Sequence, residues 1–188
     1  AHLEAALLAA QYKKHCLVEK PIEITVDRID QMIAAHELAG TKLGGIFNTR
    51  YTEGAQLLAA AMRAGRFGRL TSVSAVTPWW RDNAYYDSSD WKGTWALDGG
   101  GAFMNQGIHS IDLLQWLVGE PVTSVNGRIA TIAHNGIEVE DTGTAQLQFA
   151  NGALGTVMCA TSMWPGHFRT TTIAGTDGTA VLADGQLL

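Results

Sequence analysis

The sequence predicts a mixed fold, in which the end of a doubly wound α/β domain is followed by an α+β domain with a large, mainly antiparallel sheet. Residues 15–47 place an amphipathic helical pattern between two short apolar runs, and a strand–helix–strand unit of this kind is a parallel crossover. Residues 121–183 are almost entirely strand and turn patterns that follow one helix, which is typical of helices packed on one face of an antiparallel sheet.

The first domain, residues 1–48, is predicted to alternate helices and strands. We expect helices over 3–14 and 25–39 and strands over 15–19 and 43–47. Thr25 can cap the second helix with its hydroxyl, and Gly40 fits the C-terminal end of that helix. These elements together form the crossover.

The second domain, residues 49–188, is predicted to begin with a helix over 52–64, a strand over 70–79, an aromatic segment over 80–97 and a helix over 102–118. We expect the aromatic segment to be a functional loop, because long loops in compact domains are usually functional or disordered and aromatic residues oppose disorder. Asn151-Gly152 predicts a hairpin turn. The strand before this turn alternates apolar and polar residues, namely Ala145, Leu147 and Phe149 with Thr144, Gln146 and Gln148.

Composition excludes several classes of protein. The 188 residues are 46% hydrophobic and 16% charged, with a net charge of −5 and no basic block, which argues against a nucleic-acid partner. No apolar run is long enough to span a membrane. Cys16 and Cys159 form no C-x-x-C pair, so we expect neither a disulfide nor a zinc site and place the protein in the reducing cytoplasm.

A glycine run and a row of polar side chains mark the start of the helix over 102–118. The run Gly99–Gly101 is expected where the chain bends sharply or where something approaches the backbone closely. Asn105, His109 and Asp112 then follow at helical spacing, so they share one face. A single helical histidine is often structural, and Asp112 either orients His109 or serves the fold alone.

A second polar motif ends the first predicted strand. Glu19, Lys20 and Pro21 follow the apolar run at the point where a parallel strand opens into a crevice, which is where ligands bind such sheets. A lysine there can lose part of its hydration and exchange protons. The plainer interpretation is an ordinary ion pair between Lys20 and Glu19.

These motifs belong to a longer series of segments in a characteristic order. The segments are Glu19-Lys20-Pro21, Phe47-Asn48-Thr49-Arg50-Tyr51, Trp91-Lys92-Gly93-Thr94-Trp95, Gly99-Gly100-Gly101 with Asn105, His109 and Asp112, Glu140-Asp141-Thr142 and Phe149-Ala150-Asn151-Gly152-Ala153. The series resembles the Gfo/Idh/MocA family of nicotinamide-dependent sugar oxidoreductases. The resemblance implies that residues 1–48 end a Rossmann domain that binds NAD or NADP. It also implies that residues 49–188 form a substrate-binding domain whose sheet pairs copies into a homo-oligomer.

The resemblance also assigns roles to residues. Lys20 and His109 would be the catalytic acid–base pair, and Glu19, Lys20 and Pro21 would contact the cofactor. The family more commonly has Asp at position 105, and Asn105 can only hydrogen-bond and orient the substrate.

Asn48 and Arg81 match positions that touch substrate in the family. Arg81 suits an anionic sugar, since its planar guanidinium binds carboxylate or phosphate through paired hydrogen bonds. The alternative is a solvated loop residue. Trp91 and the pair Tyr85-Tyr86 can stack on a sugar ring or can pin the loop.

One acidic cluster lies outside this pattern. Glu138, Glu140 and Asp141 stand near His134 without the spacing of metal ligands, and we expect a solvated turn rather than a metal site.

The expected activity is that of an NAD(P)-dependent oxidoreductase acting on a sugar, sugar acid or polyol. The motifs most resemble those of enzymes for nucleotide-linked N-acetylhexosaminuronic acids. The chain contains no G-x-G-x-x-G turn, so we expect it to be the later part of a longer protein. Alone, it is expected to be inactive and to bind NAD(P) weakly. We also expect the chain to be cut short at its end. Two alternatives stay open: an incomplete piece that serves as a dimerisation module, and nicotinamide-assisted elimination or glycoside cleavage in the parent protein.

Overall fold

The structure is a computed structural model that describes residues 2–188, and it contains a two-stranded sheet and a seven-stranded sheet. The first unit consists of helices α1 (Leu3–Gln11) and α2 (Val26–Ala39) and strands β1 (Cys16–Val18) and β2 (Leu43–Gly45). The two strands pair in parallel, with Val18 opposite Gly45. This confirms the predicted strand–helix–strand crossover.

Local signals set the ends of these elements. The Thr25 hydroxyl accepts a hydrogen bond from the Arg28 N–H at 3.4 Å, and Gly40 ends α2 in the left-handed conformation with φ 67°. The prediction of a helix to residue 14 is wrong by three residues, because Lys13 has a positive φ of 54° that no helix accommodates.

The second unit follows a 3₁₀ turn, Asn48–Tyr51, that sequence patterns did not predict. Its helices are α3 (Glu53–Arg63), α4 (Asn83–Asp87) and α5 (Ile108–Val118). Its strands are β3 (Leu70–Pro78), β4 (Val122–Ala130), β5 (Thr142–Phe149), β6 (Leu154–Ala160), β7 (Thr170–Gly175), β8 (Thr179–Ala183) and β9 (Gln186–Leu187). The sheet order is β4-β5-β6-β3-β7-β8-β9, and only the β3–β6 pair is parallel. The prediction of a large, mainly antiparallel sheet is confirmed.

Alternation along the strands gives this sheet one covered face and one open face. The covered face packs against α3 and α5, and its buried side chains include Val73, Val157 and Ile173. The hairpin prediction is confirmed, with Phe149 buried beside the Asn151-Gly152 turn. The open face carries mostly Ser, Thr and Gln side chains, together with Leu154, which is 61% exposed.

The segment between β3 and α5 differs from its predicted form in two places. Residues 83–87 form α4, which Asp82 caps by accepting a hydrogen bond from the Tyr85 N–H at 2.9 Å. The predicted helix over 102–118 begins with a π-helical turn, Ala102–Gly107, before α5. Such turns in helices are frequent at functional sites.

The helices of residues 2–188 are all too short or too polar to cross a lipid bilayer.

Candidate active site

Lys20 reaches from the end of β1 to the π-helical turn. Its ammonium donates hydrogen bonds to the Asn105 carbonyl oxygen at 2.8 Å and to the Asn105 side-chain Oδ1 at 3.2 Å. Burial lowers the pKa of Lys20, and the negative charges of Asp98 and Glu19 oppose that shift. The predicted Lys20–Glu19 ion pair is replaced by a contact between the two motifs that the sequence singles out.

Asn105 in turn binds Asp98, a residue that sequence reasoning missed. The Asn105 Nδ2 donates to Asp98 Oδ1 at 2.9 Å, and the Gly93 N–H donates to Asp98 Oδ2 at 3.0 Å. Asp98 is only 4% exposed, and burial raises its pKa. The one sequence signal was its place directly before the glycine run.

His109 lies in the first turn of α5, four residues after Asn105. Burial lowers the pKa of His109, and the positive charges of Lys20 and Arg169 lower it further. The ring is therefore neutral at neutral pH, which leaves one nitrogen able to accept a proton. Its Nδ1 is buried and meets no hydrogen-bond partner among residues 2–188. Phe47 packs edge-on against the ring, with centroids 6.5 Å apart.

Of the two interpretations of Asp112, the contacts support the one in which it serves the fold, because its carboxylate bonds Arg50 and not His109. Its carboxylate accepts hydrogen bonds from the Arg50 guanidinium, one of them from Arg50 Nε at 2.7 Å. The guanidinium also lies over the rings of Phe47 and Trp116, at 5.6 Å and 5.8 Å from their centroids. Asp112 therefore fastens the 3₁₀ turn to α5.

The 3₁₀ turn also carries Asn48 and contacts a second arginine, Arg169. Asn48 is exposed at the first position of the turn, next to Phe47. The hydroxyl of Thr49 accepts a hydrogen bond from Arg169 Nη1 at 3.3 Å. The positive charge of Arg169 also lowers the pKa of His109. Sequence reasoning missed Arg169, which directly precedes β7, far from the other motifs.

A cavity of about 290 Å³ opens where β1 ends. Its lining includes Lys20, Pro21, Trp91 and Asp98. The half-exposed ring of Trp91 therefore faces the same space as the Lys20 side chain. The lining does not include His109, although the positive charge of Lys20 lowers the pKa of its ring.

The residues around this cavity fit a nicotinamide cofactor. The cavity lies at the carboxyl end of a parallel strand, where doubly wound sheets bind dinucleotides. Lys20 offers a charged donor there, and the unpartnered Nδ1 of His109 is the kind of buried polar atom that a ligand satisfies. Glu19 is exposed beside Lys20, and its carboxylate accepts a hydrogen bond from the Lys20 N–H at 3.1 Å.

Arg81 lines a different cavity from Lys20. This second cavity has a volume of about 510 Å³, and its wall also includes Trp79, His167 and Asp184. The Arg81 guanidinium lies 5.4 Å and 5.1 Å from the ring centroids of Trp79 and Tyr85, and its buried Nε meets no partner among residues 2–188. The structure therefore separates Arg81 from the Lys20 cavity. Stacking on the two rings holds the Arg81 guanidinium in one orientation.

The two tyrosines of the aromatic segment have different surroundings. Tyr86 is buried, and its hydroxyl lies 2.8 Å from Thr161 Oγ1, so it pins the segment to the sheet. The hydroxyl of Tyr85 accepts a hydrogen bond from Gln106 Nε2 at 3.1 Å, and Lys92 Nζ lies 4.2 Å from its ring centroid. Tyr85 thus contacts the Arg81 guanidinium with its ring and the π-helical turn with its hydroxyl.

Two members of the acidic cluster, Glu140 and Asp141, are buried, so the expectation of a solvated turn is wrong for them, while Glu138 is exposed as expected. Asp141 is 0% exposed and accepts hydrogen bonds from the N–H groups of Ile132, Ala133 and His134 and from His134 Nδ1. Burial raises the pKa of Asp141, but these hydrogen bonds outweigh it and hold the pKa at about 2. Its role is to fix the turn between β4 and β5.

Glu140 explains the glycine run. Its carboxylate accepts hydrogen bonds from the N–H groups of Gly101 and Phe103, both at 2.9 Å. A Cβ on Gly101 would collide with the Glu140 carbonyl oxygen. The absence of a side chain at position 101 therefore lets another segment of the protein's own backbone approach closely. The helix start is therefore already occupied by an anion of the protein.

Comparisons with known proteins agree with this arrangement. A family model described as the GFO/IDH/MocA C-terminal domain matches residues 55–181. The structure of the WlbA dehydrogenase from Bordetella pertussis, in complex with NADH and UDP-GlcNAcA, is 39% identical with a TM-score of 0.91, over 97% of this chain and 55% of that one.

Two curated relatives extend the same similarity. The uncharacterized oxidoreductase YrbE of Bacillus subtilis is 27% identical, over 95% of this chain and 51% of its own length. The myo-inositol 2-dehydrogenase of Thermotoga maritima is 28% identical, over 83% of this chain and 45% of its own length. The chain spans about half the length of the curated relatives it matches.

Proposed function

Because the chain belongs to the GFO/IDH/MocA family, we propose that it supplies the catalytic and substrate-binding part of an NAD(P)-dependent oxidoreductase for a sugar, sugar acid or polyol. The observation that carries this proposal is the hydrogen bonding of Lys20 to Asn105, which joins the end of β1 to the π-helical turn four residues before His109. In this proposal residues 1–48 complete the dinucleotide-binding domain, and residues 49–188 hold the substrate.

Oxidation of a sugar hydroxyl requires removal of a proton from oxygen and of a hydride from the same carbon. The nicotinamide ring supplies the hydride acceptor when it is bound. Neutral His109 is suited to take the hydroxyl proton, because its lowered pKa keeps it unprotonated. The Lys20 ammonium is suited to hydrogen-bond the same oxygen and stabilise its developing negative charge.

The proposed cofactor contacts are Glu19, Lys20 and Pro21, and the proposed substrate contacts are Asn48, Arg81, Asn105 and Trp91. Glu19, Lys20 and Pro21 follow β1, and Lys20, Pro21 and Trp91 line one cavity. Asn105 touches Lys20 through both of its oxygens, which suits an orienting role and not proton transfer.

We infer an anionic substrate, with a nucleotide-linked uronate as the leading class. Two guanidinium groups support this inference: Arg169, whose charge lowers the pKa of His109, and Arg81 over the second cavity with an unpartnered Nε. Planar guanidinium groups match the geometry of carboxylate and phosphate. The WlbA dehydrogenase, which is similar over 97% of this chain, was solved with UDP-GlcNAcA and NADH.

The test uses the protein expressed with any coding sequence that precedes residue 1 in its gene. We would follow NAD(P)H formation against neutral sugars, polyols and nucleotide-linked uronates. Oxidation of the uronate class supports the proposal. Loss of the substrate to an eliminated or cleaved product, with no net NAD(P)H, would favour the elimination alternative instead.

A second copy of the chain is the partner we propose for the open face of the seven-stranded sheet. This face is not covered by α3, α5 or the other helices of residues 2–188, and Leu154 is exposed on it. Thr156 is exposed near its middle, between Ser74 and Gln146 on the neighbouring strands.

We expect Thr156→Arg to convert dimers to monomers, because two cations would then face each other across a flat interface. Sedimentation velocity measures this, with Gln31→Arg on the exposed surface of α2 as the matched control. An unchanged sedimentation coefficient in Thr156→Arg, with a dimeric parent, would mean that the chains pair elsewhere.

A further inference from the structure

We propose that Asp98 is a positioning residue, whose carboxylate orients the Asn105 side chain so that Asn105 Oδ1 accepts a hydrogen bond from the Lys20 ammonium. Asn105 is neutral, whereas the family more commonly has Asp at this position. Asp98 thus provides the negative charge, one side chain further from Lys20 than a carboxylate at position 105 would be. The inference deepens the proposed function, because its catalytic consequence rests on Lys20 taking part in sugar oxidation. Its effect on the ionisation of Lys20 can be measured without any turnover.

The first step of the argument is the polarity of the Asn105 amide. One end of an amide only donates hydrogen bonds and the other end only accepts them. A carboxylate only accepts, so Asp98 Oδ1 at 2.9 Å selects the Nδ2 end of Asn105. The oxygen end is then the one that faces Lys20 Nζ, at 3.2 Å. The orientation of the amide follows from its two partners together.

The second step is that Asp98 is itself held in place. Its Oδ2 accepts the Gly93 N–H at 3.0 Å, and its own N–H donates to the Thr94 carbonyl oxygen at 3.1 Å. The Gly93 carbonyl oxygen accepts the Glu138 N–H at 2.8 Å, which ties this loop to the β4–β5 connection. A carboxylate that is 4% exposed and bonded on both oxygens has little freedom to leave the amide.

The third step concerns charge. Lys20 is partly buried and faces the carboxylates of Asp98 and Glu19, while its own charge acts on His109. Asp98 faces Lys20 and the carboxylate of Glu140. The attraction between Asp98 and Lys20 favours the ammonium form of Lys20, against the effect of burial. Removing the charge at position 98 therefore lowers the pKa of Lys20.

The decisive variant is Asp98→Asn. Its amide offers a single acceptor oxygen in place of two, so the Gly93 N–H and the Asn105 amide compete for it and Asn105 is free to turn its donor end toward Lys20. We expect the pKa of Lys20 to fall, and kcat to fall up to about 100-fold with a much smaller change in KM. Asp90→Asn, at an exposed position of the same segment, is the matched control.

The pKa is measured on the 188-residue chain by NMR titration of isotope-labelled lysine. The sequence has few lysine signals to separate, at positions 13, 14, 20, 42 and 92. Lys20→Arg identifies the Lys20 signal. A lowered Lys20 pKa in Asp98→Asn but not in Asp90→Asn supports the proposal, whether or not the parent protein oxidises a sugar.

The double variant Asp98→Asn with Asn105→Asp restores the pattern of donors and acceptors. The Gly93 N–H can donate to the amide oxygen at 98, the amide NH₂ to the carboxylate at 105, and Lys20 to the same carboxylate. We expect the Lys20 pKa to return to or above its original value and kcat to recover at least about 10-fold over Asp98→Asn.

Two results would overturn the proposal. One is an Asp98→Asn protein that folds and keeps both the Lys20 titration and kcat of the Asp90→Asn control. The other is a folded double variant that keeps the lowered Lys20 pKa. Should Asp98→Asn fail to fold, the double variant still decides, because its hydrogen bonds are matched: a Lys20 pKa below that of the unchanged chain would overturn the proposal.

Discussion

Replacing Lys20 with methionine is expected to lower kcat/KM for sugar oxidation by about 10² to 10⁴-fold, the range in which a positioned proton-transfer or charge-stabilising group contributes. Methionine keeps the length of the side chain but removes the donor that contacts Asn105. The exposed Lys14→Met is the control, and we expect it to leave the rate unchanged. Steady-state rates and a thermal melt of each variant separate loss of chemistry from loss of fold.

His109→Ala is expected to have an effect of the same size and to change the pH profile as well. The pKa of His109 lies below its ordinary value, so the imidazole stays neutral to lower pH than a free histidine does. The decline of kcat/KM on the acid side should therefore lie at a pH below about 6.5 in the parent protein. This decline should be missing from whatever activity His109→Ala retains.

His15→Ala, at an exposed position, is the control for the histidine. Full turnover in either the Lys20 or the His109 variant would remove that residue from the chemistry. Full turnover in both would contradict the assignment of the whole site.

Lys20 and Asn105 could each be singled out from the sequence because each lies in a short motif with a local signature: a strand that ends in a charged residue before proline, and a glycine run that opens a helix. That the two motifs belong to one site followed from the family resemblance and not from local geometry. Asp98 was not predictable in the same way. Its role depends on the Gly93 N–H and on the Asn105 amide, and no periodic pattern brings those three residues together.

The open choice at Asp112 and the error in the acidic cluster have one physical cause. Helical spacing correctly places Asp112 on the helix near His109, but its partner Arg50 comes from the 3₁₀ turn. Asp141 stands in a run of polar residues that suggests exposure, yet backbone N–H groups of residues 132–134 surround it. Spacing along one element does not reveal partners contributed by another.

The fold shows the same division between local and long-range information. Thr25 and Gly40 define the ends of α2 through contacts within a few residues, and both were predictable. The parallel pairing of β3 with β6 joins segments about 80 residues apart and places β3 in the middle of the sheet. Such an order depends on which strands bury their apolar faces together, and alternation alone does not specify it.

Asp141→Asn is expected to destabilise the fold by about 3 to 5 kcal/mol, the range for removing one charge from a buried, fully bonded group. Asp141 is 0% exposed, and its carboxylate accepts from three backbone N–H groups as well as from His134 Nδ1 and the Thr142 hydroxyl. An amide has one acceptor oxygen, and its NH₂ would face these donors. Asp87→Asn, at an exposed position, should change stability by less than about 0.5 kcal/mol.

The pH dependence of unfolding separates the charge of Asp141 from its shape. The folded-state pKa of about 2 lies below the ordinary value of 3.8, so this carboxylate stabilises the fold above the unfolded-state pKa and loses that contribution as pH falls toward 2. The shift corresponds to about 2 kcal/mol. Glu23, whose pKa is also lowered to about 2, titrates in the same range, so the difference between variants isolates Asp141.

Denaturant unfolding from pH about 5 to pH about 2 measures both effects. The parent chain and Asp87→Asn should lose stability steeply over this range, and Asp141→Asn should start lower and lose less. Parallel curves for Asp141→Asn and the parent would mean that folding does not shift the pKa of Asp141, and a parent that gains stability relative to Asp141→Asn as pH falls would mean that the folded state holds a neutral acid. A converging pair is the result that the five donors require, because donors of this number and orientation stabilise only the charged form.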